Sequence, residues 1–393
     1  MFSLLLAIIY IAFISLGLPD SLLGSAWPVI YVQFSVPISY AGIVTMIIAS
    51  GTIISSLLSD RLTKKFGAGL VTAVSVMLTA LALFGFSISN KFFMICLWAI
   101  PYGLGAGAID AALNNFVALH YKARHMSWLH CFWGLGASIS PYIMGYFLTR
   151  GFSWNNGFLA IAIIQIVITI TLFISLPLWK KKNAEVVTAE KAKTNLTLKQ
   201  AFNIRGVKLT LVAFFAYCGL ETTTGLWASS YLVEFRGVDT EMAANFASLF
   251  YLGITIGRFI NGFIADKVKD RHLIRGGILI ILSGVILMGI PMQNDVLAFV
   301  GLVTIGLGCA PVYPSIIHST PFVFGKENSQ AIIGIQMAGA YVGSTFVPPL
   351  FGLIADNINI GFYPLFVGIF VIVLLVMSEL LNKKVSKKQH INI

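Results

Sequence analysis

Phe92–Leu119 reads FFMICLWAIPYGLGAGAIDAALNNFVAL and carries one charge, Asp110. Roughly 20 mostly apolar residues cross a bilayer as a helix, so this stretch reads as a membrane span with a carboxylate inside it. Such a residue is costly in hydrocarbon and therefore faces a partner, a cavity or a proton path. Eleven further stretches have the same character, so twelve spans are expected in all. They lie near 3–30, 39–59, 68–89, 92–119, 126–149, 157–179, 206–232, 240–265, 273–293, 296–318, 329–354 and 359–382. A hydrophobic fraction of 58% with 10% charged residues fits no soluble domain. The expected class is an all-α polytopic membrane protein.

The net charge of +11 raises the question of nucleic acid, and its placement answers it. With the N-terminus in the cytoplasm, the inner segments hold Arg61, Lys64, Lys65, Lys122, Arg124, the cations of 180–208, Lys267, Lys269, Arg271, Arg275, Lys326 and Lys383, Lys384, Lys387 and Lys388. The outer loops hold Lys91, Arg150 and Arg236. This asymmetry is the positive-inside pattern and predicts both termini in the cytoplasm. The basic balance reports topology, and no nucleic acid is expected as a partner. The first apolar run lacks a basic leader and carries Pro19 and Asp20, so it reads as a span and not as a cleaved signal. Cys96, Cys131, Cys218 and Cys309 fall inside spans without metal-site spacing. No nucleophile–base signature or Walker-type phosphate loop is present, so no enzyme and no cofactor is expected.

A polar stretch near 180–205 divides the spans six and six. The expected organisation is an N-terminal half over 1–179, a cytoplasmic linker over 180–205, a C-terminal half over 206–382 and a tail over 383–393. The halves echo each other: Gly103-Leu-Gly105 recurs as Gly306-Leu-Gly308, and Gly136, Pro141 and Gly145 recur as Gly343, Pro348 and Gly352. The offsets run from 203 to 207 residues. Six spans per copy keep both halves in one orientation, a transporter architecture with substrate expected near the midplane. Thr197-Leu-Lys-Gln200 has the spacing of a capping box opening a short helix; a solvated tether is the alternative. The sequon Asn195-Leu-Thr197 falls on the expected cytoplasmic side and is discounted.

Several polar residues interrupt the apolar pattern. Asp110 and Asn114 lie four apart, on one helix face with Tyr102 and small residues around them. A carboxylate accepts from sugar hydroxyls and an amide donates and accepts, so the pair, with Asn115, suits a polyhydroxylated ligand. Asp20 follows Pro19, which breaks helical hydrogen bonding, and an isolated carboxylate in low dielectric suits reversible proton uptake. Glu221 is a third acid within a span, six residues before Trp227. The Trp227 face suits a sugar ring, although tryptophan near a helix end also serves as an interface anchor. His130 is a candidate proton relay or ligand-binding residue, and Gln336 a second-half cavity residue.

Gly262-x-x-x-Asp266-Lys267-x-x-x-Arg271 resembles the loop signature of the major facilitator superfamily, with Ser56-x-x-x-Asp60-Arg61 as its degraded first-half copy. The resemblance implies an inner gate involving Asp60, Arg61, Asp266 and Lys267, with Arg258 nearby. Asp110-Ala-Ala-Leu-Asn114-Asn115-Phe116 is similar to the span 4 segment of the fucose–galactose–glucose:proton symporters of that superfamily, and the likeness extends over all twelve spans. Asp here replaces the usual Glu, and Asn115 stands where proline is common. Gly134-Leu-Gly136-x-x-x-x-Pro141 and Gly306-Leu-Gly308-x-Ala310-Pro311-x-x-Pro314 also look like its signatures. The resemblance implies the major facilitator fold, with Asp20 as the coupling acid and Asp110 linked to both sugar and proton. Glu221 is a further proton or sugar site on this reading. Binding is expected from Asp110, Asn114, Asn115, Glu221, Trp227, His130 and Gln336.

The function expected is proton-coupled import of a hexose or 6-deoxyhexose, such as fucose, galactose or glucose, by a monomer in the lipid of the cell membrane. The alternative is a proton antiporter exporting drugs or metabolites. Sodium is the alternative coupling ion, because carboxylate and amide oxygens also coordinate it. A sensor without transport ranks last, since linker and tail are too short to carry a signalling domain.

Overall fold

The computed structural model describes residues 4–37, 40–180, 196–238, 240–290 and 296–389. Residues 181–195 of the expected 180–205 linker, with the sequon asparagine, and the last four residues of the tail lie outside the described residues. Among those described, the secondary structure is helical. The helices are α1 (Leu4–Gly17), α2 (Leu22–Gln33), α3 (Ala41–Phe66), α4 (Ala68–Ser87), α5 (Phe92–His120), α6 (Ala123–Thr149), α7 (Trp154–Ile174), α8 (Leu198–Asn203), α9 (Val207–Glu234), α10 (Thr240–Ile264), α11 (Asp270–Gly289), α12 (Val296–Phe324), α13 (Lys326–Asn357) and α14 (Tyr363–Gln389).

Among the described residues ten helical segments are long and apolar enough to cross a membrane, α1 and α2 counting as one. The remaining two of the twelve expected are α6 and α10. α6 carries Arg124, His125 and His130, and α10 contributes the shorter apolar stretch Leu249–Ile264. Most prolines are absorbed inside helices: Pro101 in α5, Pro141 in α6, Pro311, Pro314 and Pro321 in α12, and Pro348 and Pro349 in α13. Pro19 is not absorbed in this way. The first span breaks into α1 and α2 around it, leaving Asp20 in the turn.

The chain forms two compact units, 1–116 with 129–194, and 117–128 with 195–393. In the first, α4 packs on α7, and α1 and α2 also touch α7. Its apolar core gathers Leu22, Trp27, Phe86, Trp154 and Phe158. In the second, α12 packs on α11 and α10, and α9 on α13 and α14. Residues 117–128, which comprise the end of α5, the connecting turn and the start of α6, group with the second unit, while the rest of both helices groups with the first.

The repeat is visible as one contact made twice. A Cβ on Gly103 would strike the carbonyl of Ile48, and one on Gly306 the carbonyl of Phe250. Likewise Gly136 abuts the carbonyl of Ile14, and Gly343 that of Phe215. Small residues let helix backbones meet where lipid supplies no hydrophobic drive between them. Glycine is required at these positions by space. The capping box is formed as well: Thr197 Oγ1 accepts from the Gln200 amide at 3.3 Å, and the Thr197 amide donates to Gln200 Oε1 at 2.8 Å.

Candidate functional site

The first unit holds two polar constellations. In the first, Asp110, Asn114, Asn115 and His130 are all buried. Asn114 Nδ2 donates to Asp110 Oδ1 at 2.7 Å and to the Asp110 carbonyl at 2.9 Å. Those bonds fix the amide, so Asn114 Oδ1 faces His130 Nε2 at 3.0 Å as an acceptor. His130 must then donate from Nε2, which sets its tautomer by chemistry. The ring of Phe13 lies edge-on to the imidazole, centroids 5.3 Å apart. Carboxylate, amide and imidazole thus form one string joining α5 to α6. Replacing Asn114 with Leu removes its hydrogen bonds to the buried Asp110 and His130, each worth about 0.5–1.5 kcal/mol and more where a charged group is involved. N114L is therefore expected to lower the thermal midpoint in detergent well below that of N114Q.

The second constellation surrounds Asp20. Tyr102 Oη donates to Asp20 Oδ1 and Trp133 Nε1 to Asp20 Oδ2, each at 2.9 Å. Both donors are neutral, and indole can only donate. Each carboxylate oxygen thus meets one donor, and the residue itself remains accessible. The α1–α6 approach through Gly17, which abuts the Trp133 carbonyl, brings the indole there.

In the second unit Glu221 of α9 and Arg258 of α10 form an ion pair, Oε1 to Nη2 3.2 Å, with side-chain exposures of 19% and 5%. Sequence reading gave these residues separate tasks, one in the substrate region and one at the gate; the structure joins them. A lone Arg at the centre of a bilayer costs roughly 2.5–3.5 kcal/mol on insertion scales, which makes a nearby carboxylate a natural partner. Trp227 donates from its indole to the Pro348 carbonyl at 3.0 Å and meets Phe351 edge-on, centroids 5.4 Å apart. Gln336 is fully buried, accepting from Thr320 at 3.0 Å and donating to Thr210 at 3.1 Å.

Of the expected gate residues, Asp60 pairs with Lys64 at 2.9 Å along α3, and Arg61 is exposed. Asp266 pairs with Arg124 Nε at 2.7 Å and accepts from the Arg124 amide at 3.2 Å, while Lys267 is exposed. Asn261 donates to Ser127 Oγ at 2.7 Å, and the Trp128 indole lies where a Gly262 side chain would be. The motif turn and the 117–128 segment therefore grip each other at three points. Arg124, Tyr102 and Trp133 escaped the sequence reading as partners. They lie 142, 82 and 113 residues from the acids they meet. The motif residue Asp266 gave the one available signal, since a conspicuous acid at a helix end calls for a cation.

The Major Facilitator Superfamily model matches residues 9–317 and, in a second match, 209–391. Bypass of stop codon protein 6 of Saccharomyces cerevisiae is 25% identical over 397 residues, spanning 92% of this chain and 79% of its own length. The glucose/mannose transporter GlcP of Bacillus subtilis is 24% identical over 359 residues, spanning 87% of this chain and 86% of its own. The crystal structure of the transporter FucP in the outward conformation superposes with a TM-score of 0.81 at 16% identity, covering 96% of this chain and 98% of that one. The proton:xylose symporter XylE, bound to 6-bromo-6-deoxy-D-glucose, gives 0.78 at 13%, covering 97% and 95%. These structures share the twelve-helix fold.

Proposed function

We propose that this chain, which belongs to the major facilitator superfamily and is thus a membrane transporter and not an enzyme, imports a monosaccharide, a hexose or 6-deoxyhexose, coupled to protons by alternating access. The observation that carries the reading is Asp20: an accessible carboxylate in the break of the first span, each oxygen held by a neutral donor. Such a group can exchange a proton with water and, on protonation, turns one of its oxygens into a donor, so that the Tyr102 hydroxyl must turn to accept while the Trp133 indole still donates. That reversal transmits occupancy to α5. The Asp110–Asn114–His130 string offers a sugar hydroxyl acceptors and donors at one place. The glucose/mannose transporter and the proton:xylose symporter support the substrate class and the coupling ion. Both termini are placed in the cytoplasm by the charge pattern, the membrane is the cell membrane, and a monomer suffices.

The test is uptake into sodium-free proteoliposomes with and without an inward proton gradient, using L-fucose, D-galactose, D-glucose and D-mannose. Gradient-stimulated accumulation of one sugar is expected. Uptake that needs sodium would replace the coupling ion. Efflux of unrelated amphiphiles driven by the gradient, with no sugar uptake, would replace the reading by export.

A further inference from the structure

The Glu221–Arg258 pair of the second unit is a different device from Asp20. Asp20 meets neutral donors, whereas Glu221 meets a cation that does not titrate in the physiological range. Facing Glu221 from its own helix is Tyr217; from α10 come Arg258 and Tyr251, and from α12 Cys309. The groups acting on Arg258 are Glu221 and the phenols Tyr217 and Tyr313. Among these, Glu221 is the one carboxylate. The Oε1–Nη2 contact of the pair is 3.2 Å, longer than the usual 2.7–2.9 Å of charge-assisted bonds, and Glu221 is the more accessible partner.

We propose that this pair is a carboxylate-binding subsite, opened by protonation of Glu221, that admits the acidic form of a sugar, a hexuronate, alongside neutral hexoses. A proton taken up by the Glu221 carboxylate removes the negative charge facing Arg258. The guanidinium then offers its planar fork to an incoming carboxylate, which it matches in geometry and charge. One proton enters with one anion, so the charge of the region is the same before and after loading. The neutralised Glu221 carries an O–H that donates to a sugar hydroxyl. The inference rests on the sugar-transport reading only for the polyol part of the ligand.

The experiment is ligand-induced thermal stabilisation of the purified full chain in detergent, titrated with D-glucuronate and separately with D-glucose between pH 5.5 and 8. Glucuronate is expected to bind more tightly at low pH, its affinity falling about tenfold per pH unit once Glu221 ionises, as one linked proton requires. E221Q should flatten that dependence. R258Q, and the charge-matched double variant E221Q/R258Q, should weaken glucuronate at least tenfold more than glucose. The double variant replaces both ions by neutral amides, which protects the test against misfolding from an unpaired charge. Glucuronate that fails to bind, or binds the double variant as it binds the unmodified protein, overturns the subsite. Glucose binding without glucuronate binding sinks this inference alone; glucuronate binding without glucose binding sinks the neutral-sugar reading and leaves the subsite standing.

Discussion

Asp20→Asn is expected to reduce proton-driven accumulation to simple equilibration while sparing counterflow. The asparagine is nearly isosteric with aspartate, and its carbonyl oxygen still accepts from the Trp133 indole. Tyr102, whose hydroxyl both donates and accepts, can turn to take a hydrogen bond from the new amide. The site stays packed and loses only its titratable group. A potential of 100 mV is worth about 2.3 kcal/mol per charge moved, or roughly fiftyfold accumulation for one proton per sugar. The variant should show a ratio near one under the same gradient, with labelled sugar still exchanging across the membrane. Retention of the full ratio would remove Asp20 from the coupling step. Trp133→Phe, which withdraws one donor but keeps the carboxylate, should fall between the two and shift the pH at which uptake is half-maximal.

The second large effect concerns stability. Gly103→Val and Gly306→Val place branched side chains against the carbonyls of Ile48 and Phe250. Overpacking costs about 1–3 kcal/mol and sometimes more. Here the obstacle is backbone, which cannot rotate away, so the upper end is expected. Both variants should lose thermal stability by a similar amount, because the two positions make the same contact in each half. Gly276→Ala in α11 is the control: nothing lies within 4 Å of the added carbon, and relief of glycine's backbone entropy should stabilise by about 0.5–1 kcal/mol. Unequal losses at 103 and 306 would show that the equivalence is one of shape and not of energy.

These residues also mark what the sequence could and could not convey. The spans were legible because bilayer thickness sets a length that composition must satisfy, and even α6 and α10 kept enough apolar residues to be seen. The duplication was legible because glycines that touch backbone leave a fixed spacing behind them. The break at Pro19 could be read locally, as could the Thr197–Gln200 capping box, since both depend on neighbours within a few residues. Partners could not be read in this way. Nothing in the order of residues tells Asp20 that Tyr102 and Trp133 will supply its donors, or Glu221 that Arg258 will be its counter-ion. Those meetings follow from how helices far apart in sequence pack. The same limit explains Trp227 and Gln336, whose residue types invite a ligand and whose hydrogen bonds here go to Pro348, Thr320 and Thr210.

The grip of Asp266, Asn261 and Gly262 on the segment 117–128 has a consequence for biosynthesis. Arg124 leaves the ribosome 142 residues ahead of its partner. At about 5–20 residues per second, translation takes roughly 7–30 s to deliver the acid that neutralises it. During that interval the nascent first half carries an unclaimed cationic hairpin, and its assembly must wait for the second half to be made. A chain truncated before Asn261 would insert its early helices yet leave this hairpin without a home. It would be a substrate for quality control, whereas the two halves made together as separate polypeptides could still complete each other.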